Sequence, residues 1–543
     1  MIYLDIETDG IDATRIWCVV TMENGVPTVH TTPDTLSEAL RGSVSVVGHN
    51  LIGYDIPVLE RLWGVSVASE RIIDTLVLSR LYDPSKSGGH SLRNWGNELG
   101  FPKGDHSDWS KLSQELVNYC IQDVKVTEAV HQKLKQEMRE FSAESIKLEH
   151  KVQCIVQQQE RNGWLLDQEL ARDLCATFKE KMNEIEEELQ EKFPPIIHER
   201  WSEKTGKRLK DKVEVFNVGS RQQIAKRLSE LGVVFSKVTD KGTPIVDEAV
   251  LDTIDLPEAK AVSQYLMLQK RYAQVNSWLE HVKDDGRVHG RVISNGAVTG
   301  RMTHQSPNMA QVPASYSPYG HECRSCWTVP SGKKLVGFDA SGLELRMLAH
   351  YMNDEEFTNV LLTEDIHTRN QMAAGLETRP QAKTFIYAFL YGAGDAKIGT
   401  VVGGSAADGA RLKQRFLANT PALAGLRERV GRAAARGYLT GLDGRLLRVR
   451  SEHAALNTLL QAAGAIVMKK ALVLLDEYAK LWKIDYKFIG NIHDEVQAEV
   501  AEAQAEKYGW LAVECLKAAG LEFNLRCPLD GEYKVGTTWA ETH

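Results

Sequence analysis

The chain has 543 residues, 43% of them hydrophobic, and a net charge of −8. That length predicts several domains with ordinary globular cores. The acidic balance argues against a simple basic nucleic-acid-binding module, although an enzyme that holds metals with many carboxylates can be acidic overall and still carry a basic groove. No apolar run reads as long enough to span a bilayer, because the best of them, QAAGAIVMKKALVLL, is broken by Lys469 and Lys470, so no membrane partner is expected. Asp5 and Glu7 near the start argue against a signal peptide. Eight scattered cysteines suit a reducing cytoplasm, and Cys323-Arg-Ser-Cys326, a lone CxxC without a second pair, reads as structural rather than zinc-binding.

In chain order, residues 1–140 alternate strand-like runs (IYLDIE, IWCVVT, VSVVGHN) with helical ones, the pattern of an α/β domain. In MIYLDIETDG, Asp5 and Glu7 are two apart on a strand, so both carboxylates face the same way. HNLIGYD adds Asn50, Tyr54 and Asp55. NYCIQD adds Tyr119 and Asp123 one helical turn apart. Adjacent carboxylates repel unless a cation sits between them. Four of them with a tyrosine have the composition of a two-metal phosphodiester hydrolase, with hard oxygen ligands for Mg2+ or Mn2+. These three motifs, in this order, resemble the tyrosine-bearing branch of the DEDD superfamily of 3′–5′ exonucleases. The resemblance implies an RNase H-like domain in which Asp5, Glu7, Asp55 and Asp123 bind two metal ions and Tyr119 positions the attacking water.

From 141 to 282 the pattern is mostly helical and charged, with KMNEIEEELQEKF as a long amphipathic stretch; KTGKRLKDK after it reads as a solvated basic loop. From 283 on, strands, turns and helices mix. KKLVGFDASGLELRMLAHYM ends an apolar strand on Asp339 and starts a helix. LETRPQAKTFIYAFLYGAG is an amphipathic helix opened by a Thr378/Gln381 capping box with Pro380 at its start. Its apolar side carries Ala382, Phe385, Ile386, Phe389 and Leu390. Its other side carries Arg379, Lys383, Tyr387 and Tyr391, a stripe that reads by pattern alone either as a solvated face with two amphipathic tyrosines or as a platform for phosphates and flat rings. FIGNIHDEVQAEV alternates Val496, Ala498 and Val500 and reads as a hairpin with His493-Asp494-Glu495 at or near its turn. Two distant strand-end aspartates and a cationic stripe form a phosphoryl-transfer set, and the chain has no Walker A loop.

With IDTLVLSRL, NGAVTGRMTHQSPNMAQVP, DASGLELRMLAH, DIHTRNQMAA, GLDGR, HAALNTLLQAAGA and the terminal TTWAETH, nearly the whole chain resembles family A DNA polymerases, especially the phage T-seven branch. The resemblance implies a multidomain α/β and α+β protein. An exonuclease domain (1–140) and a linker helix with the thumb (141–282) would precede a palm in two parts (283–350 and 457–543) around the fingers (351–456). Asp339, Asp494 and the Ala340 carbonyl would hold two Mg2+ ions. Arg379, Lys383 and His367 would meet the phosphates of an incoming dNTP, with Arg346 as supporting structure and Lys383 counted among the catalytic groups. Tyr387 would lie by the sugar, and Tyr391 by the templating pair. Glu344 would select deoxyribose, Glu495 would add a substrate contact, and Arg301 and Gln461 would touch the minor groove. Partners would be primer-template DNA and dNTPs, with a phage helicase-primase and a single-strand-binding protein, in the cytoplasm of an infected host cell. Two departures stand out. The chain starts directly at the exonuclease motif, so no 5′-nuclease domain is expected. Only PPIIHERWSEKTGKRLKDK fills the place of a large thumb insertion that binds host thioredoxin in that phage branch, so thioredoxin is not an expected partner.

Three rivals fail. A lone DEDD exonuclease or ribonuclease leaves Asp339, Asp494 and the stripe unexplained. A single-subunit RNA polymerase conflicts with Glu344 and the proofreading motifs, and a non-catalytic scaffold would not have kept every carboxylate.

Overall fold

The structure, a computed structural model, describes every residue except Ser43. The N-terminal unit is a five-stranded sheet in the spatial order Val26–His30, Ile16–Glu23, Ile2–Thr8, Val46–Gly48, Ile72–Asp74. The first three strands are antiparallel; the last two join in parallel, as crossover connections require. Period-2 alternation sends Leu4 and Ile6 of the central strand into one apolar cluster, and Tyr3, with Asp5 and Glu7 in phase, to the other face. Val124 and Cys120 of the helix Gln114–Glu137 pack on that second face.

Helix Ala143–Asn162 leads out of this unit, and helices Gln168–Lys192 and Pro257–His281 pack against each other over a core rich in tryptophan. Between these two helices the basic stretch is not the loop expected of it. Arg208–Glu214 is a strand paired antiparallel with Ile196–Trp201, because Leu209 and Val213 alternate with Arg208, Lys210 and Lys212 at strand spacing. Cys323 and Cys326 are buried, unbridged and held protonated, with thiol pKa values pushed up to about 12 by burial, as a structural role demands.

The C-terminal half centres on a four-stranded antiparallel sheet in the order Tyr486–Ile492, Glu495–Ala501, Lys333–Ala340, Gly531–Gly536. Helices Ala455–Leu481 and Ala505–Glu522 back it. The first of these corrects an expectation. By length and composition the helical stretch Glu452–Leu481 could cross a bilayer, but 83% of its most apolar window is buried inside the protein. Lys469, expected to break the apolar run, is 2% exposed and paired with Glu149.

The helix Arg379–Leu390 begins at the expected capping box, and its apolar side is fully buried. The neighbouring helices Asp395–Thr400 and Ala406–Ala418 meet so closely that a Cβ on Gly409 would stand 1.9 Å from the Asp395 carbonyl oxygen. Gly425, in helix Pro421–Ala434, meets nothing nearer than an arginine tip at 3.5 Å. Gly409→Ala is therefore expected to destabilise this region by about 1–3 kcal/mol. Gly425→Ala should stabilise it by about 0.5–1 kcal/mol through helix propensity. Hydrogen exchange of the amides in Asp395–Thr400 checks the first and of those in helix Pro421–Ala434 the second, and equal signs for the two substitutions would contradict this packing.

Candidate active sites

The first site is a cleft of about 640 Å3 lined by Asp5, Glu7, Asp123 and Tyr119, among others. Asp5 and Glu7 come from the central strand and Asp123 from the helix laid over it. Asp55 ends a one-turn π-helix, Leu51–Asp55, and is 3% exposed, close enough to Asp5 to feel its charge. That turn is held by a residue given no role at the outset. Asp74 accepts from the Asn50 and Ile52 amides at 2.9 and 3.1 Å, and its own amide donates to His150. The Tyr54 hydroxyl ties the same turn to Thr8 and the Gly10 carbonyl, each at 2.7 Å.

Burial governs the electrostatics, and neighbouring carboxylates add to it. Burial, then Asp123, pushes Asp5 up to about 8. Burial, then Asp5 and Asp123, pushes Glu7 up to about 10. Burial lifts Asp123 to about 6 against the opposing pull of Lys103. Lys103 is the second unforeseen participant: its ammonium stands 2.5 Å from Asp123 Oδ2 and 4.8 Å from the ring centre of Tyr119. It lies in a loop with no regular structure, so no periodicity points to it. Trp109 meets the Tyr119 ring edge-on at 5.5 Å and fixes its plane. Asp123 Oδ1 is buried without a hydrogen-bond partner. Ligand atoms of Asp5, Glu7 and Cys120 lie within 4.8 Å of one another. Burial pushes the Cys120 thiol far up, so it stays protonated, facing the Asp5 carbonyl at 3.6 Å, and the carboxylates are the donors left for a hard cation. An orphaned carboxylate oxygen among raised carboxyls fits a divalent ion.

The second site lies at one end of the C-terminal sheet. Asp339 is the next-to-last residue of its strand, and Asp494 sits in the tight turn between Tyr486–Ile492 and Glu495–Ala501, where His493 takes a positive φ of 60°. The Ala340 amide donates to the Asp494 carbonyl at 3.2 Å and brings the two aspartates together. Desolvation, then Asp494 and Glu495, pushes Asp339 up to about 7. Arg379 is paired with Asp365, whereas Lys383 is exposed with no ion pair among the described residues. His367 is 9% exposed, its ring 6.1 Å from that of Tyr387, and its Nδ1 has no partner. Glu344 accepts from the Tyr391 hydroxyl at 2.8 and 2.9 Å and from Arg301 at 3.0 Å. Gln461 is half-buried on the long central helix. Arg346 Nε donates to the Ser341 carbonyl at 2.8 Å and braces the loop after Asp339.

Glu495 is the most deeply engaged carboxylate of this site. It belongs to the strand, and period-2 alternation turns it inward with Gln497 and Glu499 while Val496, Ala498 and Val500 enter the main core. Its carboxylate accepts from Trp539 at 2.6 Å and Gln497 at 2.7 Å and pairs with His543 at 2.7 Å. A carboxylate so engaged ties its strand to Trp539 and His543.

The sequence profile of DNA polymerase family A matches residues 179–541. The chain belongs to DNA polymerase family A. This polymerase is 35% identical to the DNA-directed DNA polymerases of Enterobacteria phage T3 and Escherichia phage T7, over 93% of each chain. It is 26% identical to DNA polymerase I of Pseudomonas aeruginosa over 91% of this chain and 54% of that one. The fold matches the POL domain of Pol1 from M. smegmatis, solved with DNA primer-template and dNTP, at a TM-score of 0.83 and 19% identity, covering 100% of this chain and 96% of that one.

A pH dependence follows from the burial of these carboxyls. Each raised carboxyl favours its proton in the folded state. Its contribution to stability is complete below the unfolded carboxyl range near pH ~4, and is lost as pH rises through the folded values. Those values are about 6 for Asp123, 7 for Asp339, 8 for Asp5 and 10 for Glu7. In EDTA the polymerase should lose thermal stability as pH climbs from about 5 to about 9. Mn2+ needs the ionised carboxylates, so the Tm increase it causes should grow with pH. A Mn2+-induced Tm shift that is equal at the two ends of that range would contradict this electrostatic account.

Proposed function

We propose that this chain is a template-directed DNA polymerase that extends a primer with dNTPs and proofreads with its own 3′–5′ exonuclease, in phage DNA replication. The observation that carries the reading is the presence of two separate carboxylate sites, one in the N-terminal cleft and one at the palm sheet, in a single family A chain. Residues 1–140 are assigned to the exonuclease, 141–282 to the linker helix and thumb, 283–350 and 457–543 to the palm, and 351–456 to the fingers. Its fold neighbour's capture of primer-template and dNTP, and the names of its phage relatives, support the substrates.

Asp339, Asp494 and the Ala340 carbonyl would hold metal ions at one site, and Asp5, Glu7, Asp55 and Asp123 at the other. When bound, Mg2+, or Mn2+ in its place, supplies Lewis acidity toward the attacking and leaving oxygens. The protein's own groups supply the rest. Lys383 offers a free ammonium to the triphosphate. Arg379 can exchange Asp365 for a phosphate at small cost, because that ion pair is exposed. His367 lies behind Tyr387 and offers its unpartnered Nδ1. Glu344, held by the Tyr391 hydroxyl, walls the 2′ side of the sugar and excludes a hydroxyl there, and the Tyr391 ring lies by the templating pair. Arg301 and Gln461 face acceptors, purine N3 and pyrimidine O2, that every correct pair presents in the minor groove. At the exonuclease site Tyr119, held by Trp109 and Lys103, orients water.

The alignment with the phage T7 polymerase runs over 662 positions, more than the 543 residues of this chain, so that relative carries segments absent here. This supports a replication complex without thioredoxin, in which the ribbon Ile196–Glu214 occupies the insertion's place.

The two sites should be separable. Asp5→Ala with Glu7→Ala should abolish degradation of single-stranded DNA and leave primer extension nearly intact. Asp339→Ala or Asp494→Ala should do the reverse. Loss of both activities from either change, in protein with native melting behaviour, would refute the assignment.

Tyr387 generates a second expectation. Its phenol, unlike that of Tyr391, has no carboxylate partner among the described residues. It can place a hydroxyl where a dideoxynucleotide lacks its own. One hydrogen bond to a charged group amounts to roughly one to two orders of magnitude in selection. Tyr387→Phe should therefore raise the kcat/KM ratio of dTTP over ddTTP by about ten- to a hundredfold in exonuclease-deficient protein. A change below about threefold would mean that Tyr387 does not face the sugar.

A further inference from the structure

Beside the polymerase site lies a buried ionic cluster that neither carboxylate centre uses. Glu149, on helix Ala143–Asn162, is 0% exposed. Its Oε1 is 2.8 Å from Lys469 Nζ and 2.7 Å from Arg445 Nη2. Arg445 also grips Asp443 through contacts of 2.6 to 3.0 Å. The two cations share a further acceptor, Asn295 Oδ1, at 2.8 Å from Lys469 and 3.5 Å from Arg445. Two positive and two negative charges balance. Burying such a set nevertheless contributes little net stability compared with apolar side chains of similar volume, so stability alone does not account for it.

Its placement does. Asn295 opens the turn that delivers Arg301. Within that turn the Gly300 amide donates to the Ala297 carbonyl at 2.8 Å, and the Ala297 amide to the Arg301 carbonyl at 3.2 Å. Gly300 has φ +74°, and a Cβ there would stand 3.2 Å from Arg445 Nη1 and 3.4 Å from Asn295 Oδ1, so the turn's backbone rests directly on the cluster. The next residue, Arg301, donates to Glu344, which holds Tyr391.

We propose that the Glu149–Lys469–Arg445–Asn295 cluster is a positioning device for Arg301, through which the helix leading from the exonuclease side sets the minor-groove contact on the polymerase side. Glu149 and Asn295 touch no substrate in this arrangement; they act through the 297–301 turn. The inference rests on the minor-groove role given to Arg301 above.

The test compares kcat/KM for correct incorporation by full-length, exonuclease-deficient protein on a normal pair and on a pair in which guanine N3 is replaced by C–H. The replacement is made in turn on the incoming and on the templating base. Arg301→Ala identifies the reporting position, the one where it lowers the rate on the normal pair and not on the modified one. Glu149→Gln is expected to lower kcat/KM by about tenfold on the normal pair and by less than about twofold on the modified pair, because the contact it misplaces is already missing there. In the exonuclease-proficient background, Glu149→Gln should leave degradation of single-stranded DNA unchanged. Equal losses on both pairs, or no loss, while Arg301→Ala still discriminates, would overturn the positioning role and leave the role of Arg301 standing. An Arg301→Ala that discriminates at neither position would overturn the minor-groove reading, and the inference falls with it. Asn295→Ala removes the shared acceptor without changing the charge balance. It carries the same test, with the same outcomes, if Glu149→Gln does not fold.

Discussion

Both sites depend on one constraint: carboxylates buried close to one another on strands, a helix and a tight turn that cannot relax. Asp5 and Glu7 project from the same face of a strand buried on both sides, and the helix over it adds Asp123. Side chains on flexible loops would swing apart. Here the backbone ladder prevents it, and burial first, with repulsion added at Asp5, Glu7 and Asp339, appears as raised proton affinity. Lys103 offsets part of this charge at Asp123, which is why the least perturbed carboxyl of the three is the one it touches. The palm repeats the principle with a different device, a tight turn and a strand end locked by the Ala340–Asp494 hydrogen bond.

Around the second site the same few polar groups serve one another before any substrate arrives. Glu344 gathers Arg301 and Tyr391, Asp365 holds Arg379, and Glu495 holds Trp539 and His543. Each pairing limits rotamer freedom in a group that would otherwise lose it on binding. The pairings differ in depth. The Arg379–Asp365 pair is exposed and exchangeable, whereas Glu495 is sealed beneath the chain's end. This contrast separates a pair open to solvent from a carboxylate closed to it.

The long helix Ala455–Leu481 joins these parts. It is apolar on nearly every side because helices Ala505–Glu522, Ala143–Asn162, Leu343–Met352 and Pro421–Ala434 pack around it, and an all-round apolar helix belongs in a core or a membrane. Lys469 decides between the two environments. A buried ammonium is tolerated where Glu149 and Asn295 receive it, and the hydrocarbon interior of a bilayer has no such acceptors.

Local pattern in the sequence was enough to determine what depends on short-range geometry. The in-phase Asp5 and Glu7, the Tyr119–Asp123 turn, the capping box at Thr378, the buried face of the Arg379–Leu390 helix and the turn at Asp494 all follow from periods of two and 3.6 residues and from turn chemistry. The ordered motifs were sufficient to indicate the family. Only the tertiary structure decided which charged groups are free. Lys103 comes from an irregular loop, Asp74 works through backbone amides of a distant turn, and Glu149 meets Lys469 across 320 residues of sequence. The ribbon at Arg208–Glu214 required a partner strand to distinguish it from a solvated loop. Periodicity records which way a side chain points along its own element. It carries no information about what stands opposite, and ion pairing and burial are set by what stands opposite.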